Sequence, residues 1–135
     1  MTQNPNNPGV WPSVIYPDAE AARKFLTEVF GFTETETVRD ADGSKIVHGE
    51  LRWPEGGGIM YGDAAEDNHP DFPQPQGIQW LYVVTADPDA VHKRAVEAGA
   101  TIVREPSDTD YGSRDVSIAD LAGNVWTFGT YPGAR

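Results

Sequence analysis

The sequence predicts an α+β fold of two tandem modules, each a strand, a helix and three further strands. Three observations predict it. Two amphipathic stretches each follow an Asp and end at a Gly, at Asp18 and Gly31 and again at Asp87 and Gly99. The order of strand and helix signals restarts after a Pro-rich connector. A constant offset of 69 relates Trp11 to Trp80, Asp18 to Asp87, Ala21 to Ala90, Lys24 to Lys93 and Glu28 to Glu97. The expected layout is a flexible lead-in over 1–9 and a single domain over 10–131. Its modules run 10–63 and 77–131, joined by a connector over 64–76.

Val10 to Tyr16 reads as the first strand. Asp18, after Pro17, stands where a helix N-cap belongs. Ala22, Phe25, Leu26 and Val29 recur at the spacing of one buried helix face. Gly31 is placed to end that helix in the left-handed region. Phe32 to Arg39 is extended and meets the turn Asp40-Ala41-Asp42-Gly43. In Lys45 to Trp53, residues Ile46, His48, Glu50 and Arg52 share one parity. Pro54 to Gly58 is a turn, its three glycines lacking the spacing of a phosphate loop, and Ile59-Met60-Tyr61 is a short strand. The connector holds His69 and Phe72-Pro73-Gln74-Pro75 and shows no periodicity.

In the second module Ile78 to Val84 is a strand, and Asp87 caps a helix with Pro88 at its first position. Val91, Arg94, Ala95 and Ala98 form the expected inward stripe, the Arg94 head snorkelling outward. Thr101-Ile102-Val103, Arg114 to Ile118 and Asn124 to Gly129 are the remaining strands, with Leu121-Ala122-Gly123 the turn before the last.

Composition narrows the function. The 135 residues are 39% hydrophobic, enough for a real core. With no cysteine there is no disulfide framework, zinc cluster or thiol nucleophile. No apolar run approaches the length of a membrane helix. Met1 to Gly9 lacks the basic and apolar regions of a signal peptide, so a cytoplasmic location is expected. The net charge of −11, with no basic stripe, argues against nucleic acid. It favours a cationic ligand, or serves solubility alone.

The residues Tyr16 to Phe25, Gly31-Phe32, Ala98-Gly99-Ala100, Tyr111-Gly112-Ser113-Arg114-Asp115 and Asp120-Leu121-Ala122-Gly123-Asn124-Val125-Trp126 resemble the vicinal oxygen chelate superfamily. That group holds glyoxalase I, extradiol dioxygenases and bleomycin-resistance proteins. Asp120 to Asn124 is similar to its Asp-Pro-x-Gly-Asn turn, with Leu121 in place of Pro. The resemblance implies the glyoxalase/bleomycin-resistance fold, a cup-shaped mixed sheet, and commonly a homodimer. It is specific for fold and weak for function.

In the family's enzymes a divalent metal lies in the cup, held by His, Gln or Glu on the first and last strands of each module. Carried onto this chain those positions are Trp11, Tyr61, Trp80 and Thr127, matching Ile59-Met60-Tyr61 to Val125-Trp126-Thr127. None is a usual ligand for such an ion, although Tyr can bind iron. A slip of one residue brings in only Gln79. No metal, other cofactor or catalytic residue is therefore expected. Strand parity lines the cup with Trp11, Ser13 and Ile15, and with Trp80, Tyr82 and Val84; it turns Val14, Tyr16, Leu81, Val83, Trp126 and Phe128 toward the helices. Aromatic faces stack on flat compounds and attract cations. Trp11, Tyr61, Trp80 and Tyr82 supply such faces, and Ser13, Thr127 and His48 the polar contacts. Asp108, Asp110 and Asp115 read as loop and edge carboxylates. The expected function is metal-free binding of a flat aromatic or cationic compound. By analogy with the bleomycin-resistance branch, the role implied is drug sequestration in antibiotic self-resistance. The alternatives are aromatics that merely fill the cup, a metal-dependent lyase, isomerase or extradiol-type dioxygenase, and a scaffold without a ligand.

Overall fold

Two Asp side chains begin the two helices as their positions require. In the computed structural model, which describes residues 8–64 and 77–134, the Asp18 carboxylate accepts from the Ala21 amide at 3.1 Å and Asp87 from Ala90 at 3.1 Å. The lead-in up to residue 7, His69 and nearly all of the connector lie outside the described residues. The elements run β1 (Ser13–Tyr16), α1 (Ala19–Phe25, continued by a π-helical turn Leu26–Phe30), β2 (Thr33–Arg39), β3 (Ile46–Arg52), β4 (Gly58–Asp63), β5 (Trp80–Val84), α2 (Pro88–Glu97), β6 (Thr101–Asp108), β7 (Arg114–Ala119) and β8 (Val125–Gly129). Two four-stranded mixed sheets result, ordered β1-β4-β3-β2 and β5-β8-β7-β6. In each, the edge strand β1 or β5 runs parallel to its neighbour and the other pairs are antiparallel. This is the α+β architecture of the glyoxalase/bleomycin-resistance fold. Two compact units divide it: one takes the described residues to Thr27 and from Gly31 to Gly77, the other Glu28–Phe30 and the chain from Ile78 onward.

In the first unit alternate residues of β1 and β4 turn inward. Val14, Tyr16, Ile59 and Tyr61 are buried with Leu51 of β3 and with Ala22 and Leu26 of the helix. Phe32 and Trp53 pack at a ring separation of 5.0 Å. The Asp63 carboxylate at the end of β4 accepts from the Ala19 amide at 2.8 Å and the Ile46 amide at 2.7 Å, joining helix start, β3 and β4. Glu20 accepts from Arg23 at 2.7 Å and from Arg39 at 2.9 Å, and Arg23 also reaches Glu34 at 2.9 Å. The Arg23 bond foremost holds the Glu20 carboxyl down from its ordinary 4.5 to about 2.

In the second unit Trp126, Phe128, Val116 and Ile118 are fully buried beneath Val91 and Ala95 of α2. Phe30 joins them, 5.5 Å from Trp126 and 4.9 Å from Phe128 between ring centres. Two expectations for α2 change here. Arg94 does not send its head to solvent: its Nε donates to the Val29 carbonyl at 3.1 Å and its Nη2 to the Phe30 carbonyl at 2.9 Å. It thereby satisfies carbonyls that the end of a helix leaves without partners. Ala98 is exposed, because it lies past the last helical residue, Glu97, where the chain leaves the helix into Gly99 (φ 73°). Strand β6 runs to Asp108, well past the expected Val103; as an edge strand it tolerates Pro106, around which the pairing with β7 shifts register.

The turn before β8 is held by one carboxylate. Asp120 Oδ1 accepts from the amides of Ala122 (2.9 Å) and Asn124 (3.0 Å), and Oδ2 from Asn124 Nδ2 (3.1 Å) and Trp126 Nε1 (3.0 Å). Asn124 Oδ1 in turn accepts from the Gln79 amide at 2.8 Å, which ties the turn to the start of β5. Replacing Asp120 by Ala strands buried donors on Trp126 and Asn124, so urea unfolding is expected to show a loss of about 3 kcal/mol. A depressed carboxyl stabilises the fold above its unfolded value and loses that contribution as pH falls through its folded value. Glu20→Gln is therefore expected to flatten the acid limb of stability between about pH 4.5 and pH 2, by well under about 1 kcal/mol for so exposed a pair.

Candidate functional site

The face of each sheet turned away from its buried core carries the candidate residues. In the second unit β5 presents Trp80, Tyr82 and Val84 there, all exposed. Tyr82 pairs with Thr127 of β8, and Thr127 with Ser117 of β7. The Trp80 Nε1 donates to Thr127 Oγ1 at 2.9 Å, and Thr127 Oγ1 shares a hydrogen bond with Ser117 Oγ at 2.8 Å. Thr127 and Ser117 are buried, yet the indole they hold is 77% exposed. A large apolar ring kept in water and fixed at its edge is a stacking surface. Farther along the face, the Tyr82 hydroxyl donates to the Tyr131 carbonyl at 2.8 Å. Partial burial raises Tyr82 above the ordinary tyrosine value.

In the first unit the corresponding face carries Ser13 and Ile15 of β1, Met60 of β4 and His48, Glu50 and Arg52 of β3. Ile46, expected on the same parity, is instead buried in the core, because the pairing with β2 shifts register at Val47. His48 Nε2 lies 2.7 Å from Glu50 Oε2. The Arg52 guanidinium sits 4.5 Å from the centre of the Trp11 ring. That ring also packs against Gly58, where a Cβ would collide with it. Glu36, Glu50 and Arg52, with Thr33 and the Trp53–Gly57 turn, line a cleft of about 660 Å³. Its walls are charged, unlike the aromatic face of the second unit.

One expected site residue is displaced. Tyr61 is 2% exposed, on the core side with Ile59, its ring lying over Gly49. Burial raises its ionisation above the ordinary value. Matching Tyr61 to Thr127 is off by one, as the hairpins reveal. Trp53 N donates to the Gly57 carbonyl at 3.0 Å, and Asp120 N to the Asn124 carbonyl at 2.9 Å. These equivalent closures align Met60 with Thr127 and Tyr61 with Phe128. The β1 and β5 registers agree: Ser13 pairs with Met60 as Tyr82 pairs with Thr127. Sequence reasoning also assigns no site role to Asp115, Ser117, Tyr111 and Tyr131. Asp115 is neither in a loop nor at an edge: it is buried on β7, between β8 and β6. The Tyr111–Asp115 run was visible as a motif, but nothing in its spacing signals burial.

The positions that the family resemblance makes metal-ligating therefore become Trp11, Met60, Trp80 and Thr127. Among the described residues no group of three or more His, Asp or Glu is placed to hold a metal ion. Trp11, Met60, Trp80 and Thr127 lack the imidazole and carboxylate donors of the family's enzymes and do not fit their metal.

A βαβββ unit repeated in tandem, with its open sheet faces furnished as above, defines a class of small-ligand and metal-centred proteins. The chain belongs to the Glyoxalase/Bleomycin resistance protein/Dioxygenase superfamily, whose model matches residues 10–128. Among solved structures it is similar to TioX from Micromonospora sp. ML1, at 28% identity and a TM-score of 0.75, over 90% of this chain and 98% of that one. It is similar also to a glyoxalase/bleomycin resistance protein from Streptomyces sp. CB03234, at 25% identity and a TM-score of 0.60, over 88% and 98% of the two chains. A Mycobacterium tuberculosis protein described as uncharacterized, Rv0887c, is 30% identical in an alignment 134 positions long that covers 90% of this chain and 74% of that protein.

Tyr82→Phe is expected to remove a late-titrating component from an alkaline absorbance titration of the tyrosines, since Tyr82 ionises above the ordinary value of 10.

Proposed function

We propose that this protein binds a flat aromatic or cationic organic compound and sequesters it unaltered, without a metal, with antibiotic self-resistance as its role. The observation that carries this reading is the Trp80 indole, exposed to water and anchored through its nitrogen by Thr127 and Ser117. An indole with no ligand to cover gains nothing from this exposure, because apolar area left in water forgoes about 25 cal/mol per Å². Held at its edge, the ring offers its faces without the entropy cost of ordering a free rotamer on binding. Trp11, Met60, Trp80 and Thr127, at the positions the resemblance makes metal-ligating, favour binding over metal-dependent catalysis, since none offers an imidazole or a carboxylate. The acidic chain supports a ligand that bears positive charge. The family's drug-resistance members supply the analogy for the role, and their dimeric assembly suggests a homodimer here.

Titration of tryptophan fluorescence with planar aromatic drugs, both cationic and neutral, tests the reading. Saturable quenching is expected, and Trp80→Ala is expected to weaken binding by about tenfold, the equivalent of one stacked ring. A panel that never quenches, or a Trp80→Ala protein that binds as well as the parent, overturns it. So does a stoichiometric divalent metal in the purified protein.

A further inference from the structure

The open face of the second unit holds a buried negative charge without a positive partner. Asp115 is 7% exposed. Its carboxylate accepts from Ser113 Oγ at 2.6 Å and from the Tyr111 hydroxyl at 3.3 Å. No salt bridge among the described residues reaches it. Its neighbour Arg114 is committed elsewhere, to Asp89 at 2.8 Å and Asp108 at 3.2 Å. A carboxylate so far from water is costly unless a cation or several donors offset it, and two hydroxyls offset it only in part.

Three tyrosines gather at this carboxylate. The Tyr111 and Tyr131 rings meet edge to face, 5.8 Å apart at 83°. The Tyr131 amide donates to Ser113 Oγ at 3.1 Å, and its carbonyl receives the Tyr82 hydroxyl. Asp115 and Tyr82 converge over Gly129, where a Cβ would strike both the carboxylate oxygen and the Tyr82 ring. Only glycine gives the two side chains room to meet there. All three tyrosines keep much of their surface in water.

We propose that Asp115, Tyr82, Tyr111 and Tyr131 form a cation subsite that takes a protonated or methylated amine of an organic ligand. Ring faces attract a cation through their quadrupole, and the attraction is strongest for ammonium groups that shed water easily. The carboxylate beneath adds the full charge that rings lack. A small inorganic cation is a poorer fit, since the Asp115 oxygens already accept from Ser113 and Tyr111 and the Tyr131 carbonyl from Tyr82, and ring faces do not replace a hydration shell. The subsite deepens the reading above and rests on it: Trp80 stacks the flat part of the compound and the tyrosines hold its cationic end.

Tetramethylammonium chloride, titrated into the full chain at constant ionic strength against sodium chloride, isolates the subsite from stacking. Saturable shifts of tyrosine ring resonances are expected. Asp115→Asn is expected to weaken tetramethylammonium by about tenfold, and Tyr111→Leu by about fivefold, while Tyr111→Phe keeps the ring and loses less. If Asp115→Asn fails to fold, judged by circular dichroism, the Tyr111 pair carries the test. No saturable shift beyond that of sodium, or equal affinities for the parent, Asp115→Asn and Tyr111→Leu, overturns the subsite. Planar drugs that bind where tetramethylammonium does not leave the sequestration reading standing and remove the subsite. Tetramethylammonium that binds where no planar drug does keeps the subsite and removes that reading.

Discussion

Strand register is the constraint on which the candidate site depends, and the Asp120 carboxylate sets it. By gathering the amides of Ala122 and Asn124, the Asn124 side chain and the Trp126 indole, it determines where β7 ends and β8 begins. Side chains alternate along a strand, so a shift of one residue would exchange the two faces of β8. Trp126 and Phe128 would then meet water, and Thr127 would enter the core. The buried indole hydrogen bond makes that exchange doubly unfavourable, since it joins the turn to the core through one oxygen. Trp80 is anchored on Thr127 and pairs with Val125, so the orientation of the exposed ring is inherited from the turn that begins the strand beside it.

Much of this was legible in the sequence. Period-two alternation in β5 put Trp80 and Tyr82 on one face and Leu81 and Val83 on the other. The Asp caps and closing glycines located both helices. Tyr61 shows where such reading fails. Three-residue apolar strands look alike under a shift of one, and matching Ile59-Met60-Tyr61 to Val125-Trp126-Thr127 ignored the hairpins that precede them. Counting from the turn closures Trp53–Gly57 and Asp120–Asn124 gives the alignment the sheets adopt. Turn geometry carries register; residue similarity in a short strand does not.

The other differences have a common cause as well. Arg94 was expected to be wet and Asp115 to be peripheral because charged side chains seek water. Both instead answer demands that exist only in three dimensions. Arg94 finds helix-terminal carbonyls left open by the end of a π-helical turn. Asp115 is enclosed because β7 lies between β8 and β6, with Ser113 and Tyr111 folded over it. Neither partner set is near enough in sequence to be read as a pattern, apart from the short Tyr111–Asp115 run whose purpose becomes visible only when Tyr131 and Tyr82 arrive beside it.

The two modules finally separate architecture from chemistry. Trp11 and Trp80 occupy the same place in the repeat, two residues before paired positions of their edge strands. Their neighbours differ. Trp11 lies against Gly58 with the Arg52 guanidinium at its face, so one face already holds a cation from the chain itself. Trp80 is gripped at its nitrogen by hydroxyls, which satisfies its polar atom while leaving the ring in water. The aromatic quadrupole is engaged by the chain's own cation in one module and left uncovered in the other. Duplication supplied two equivalent ring positions. The residue across the strand, Met60 in one module and Thr127 in the other, decides whether a hydroxyl is there to hold the indole by its edge. Where it is absent, the ring is steadied by packing and charge and one of its faces is taken by Arg52; where it is present, the ring stays in water.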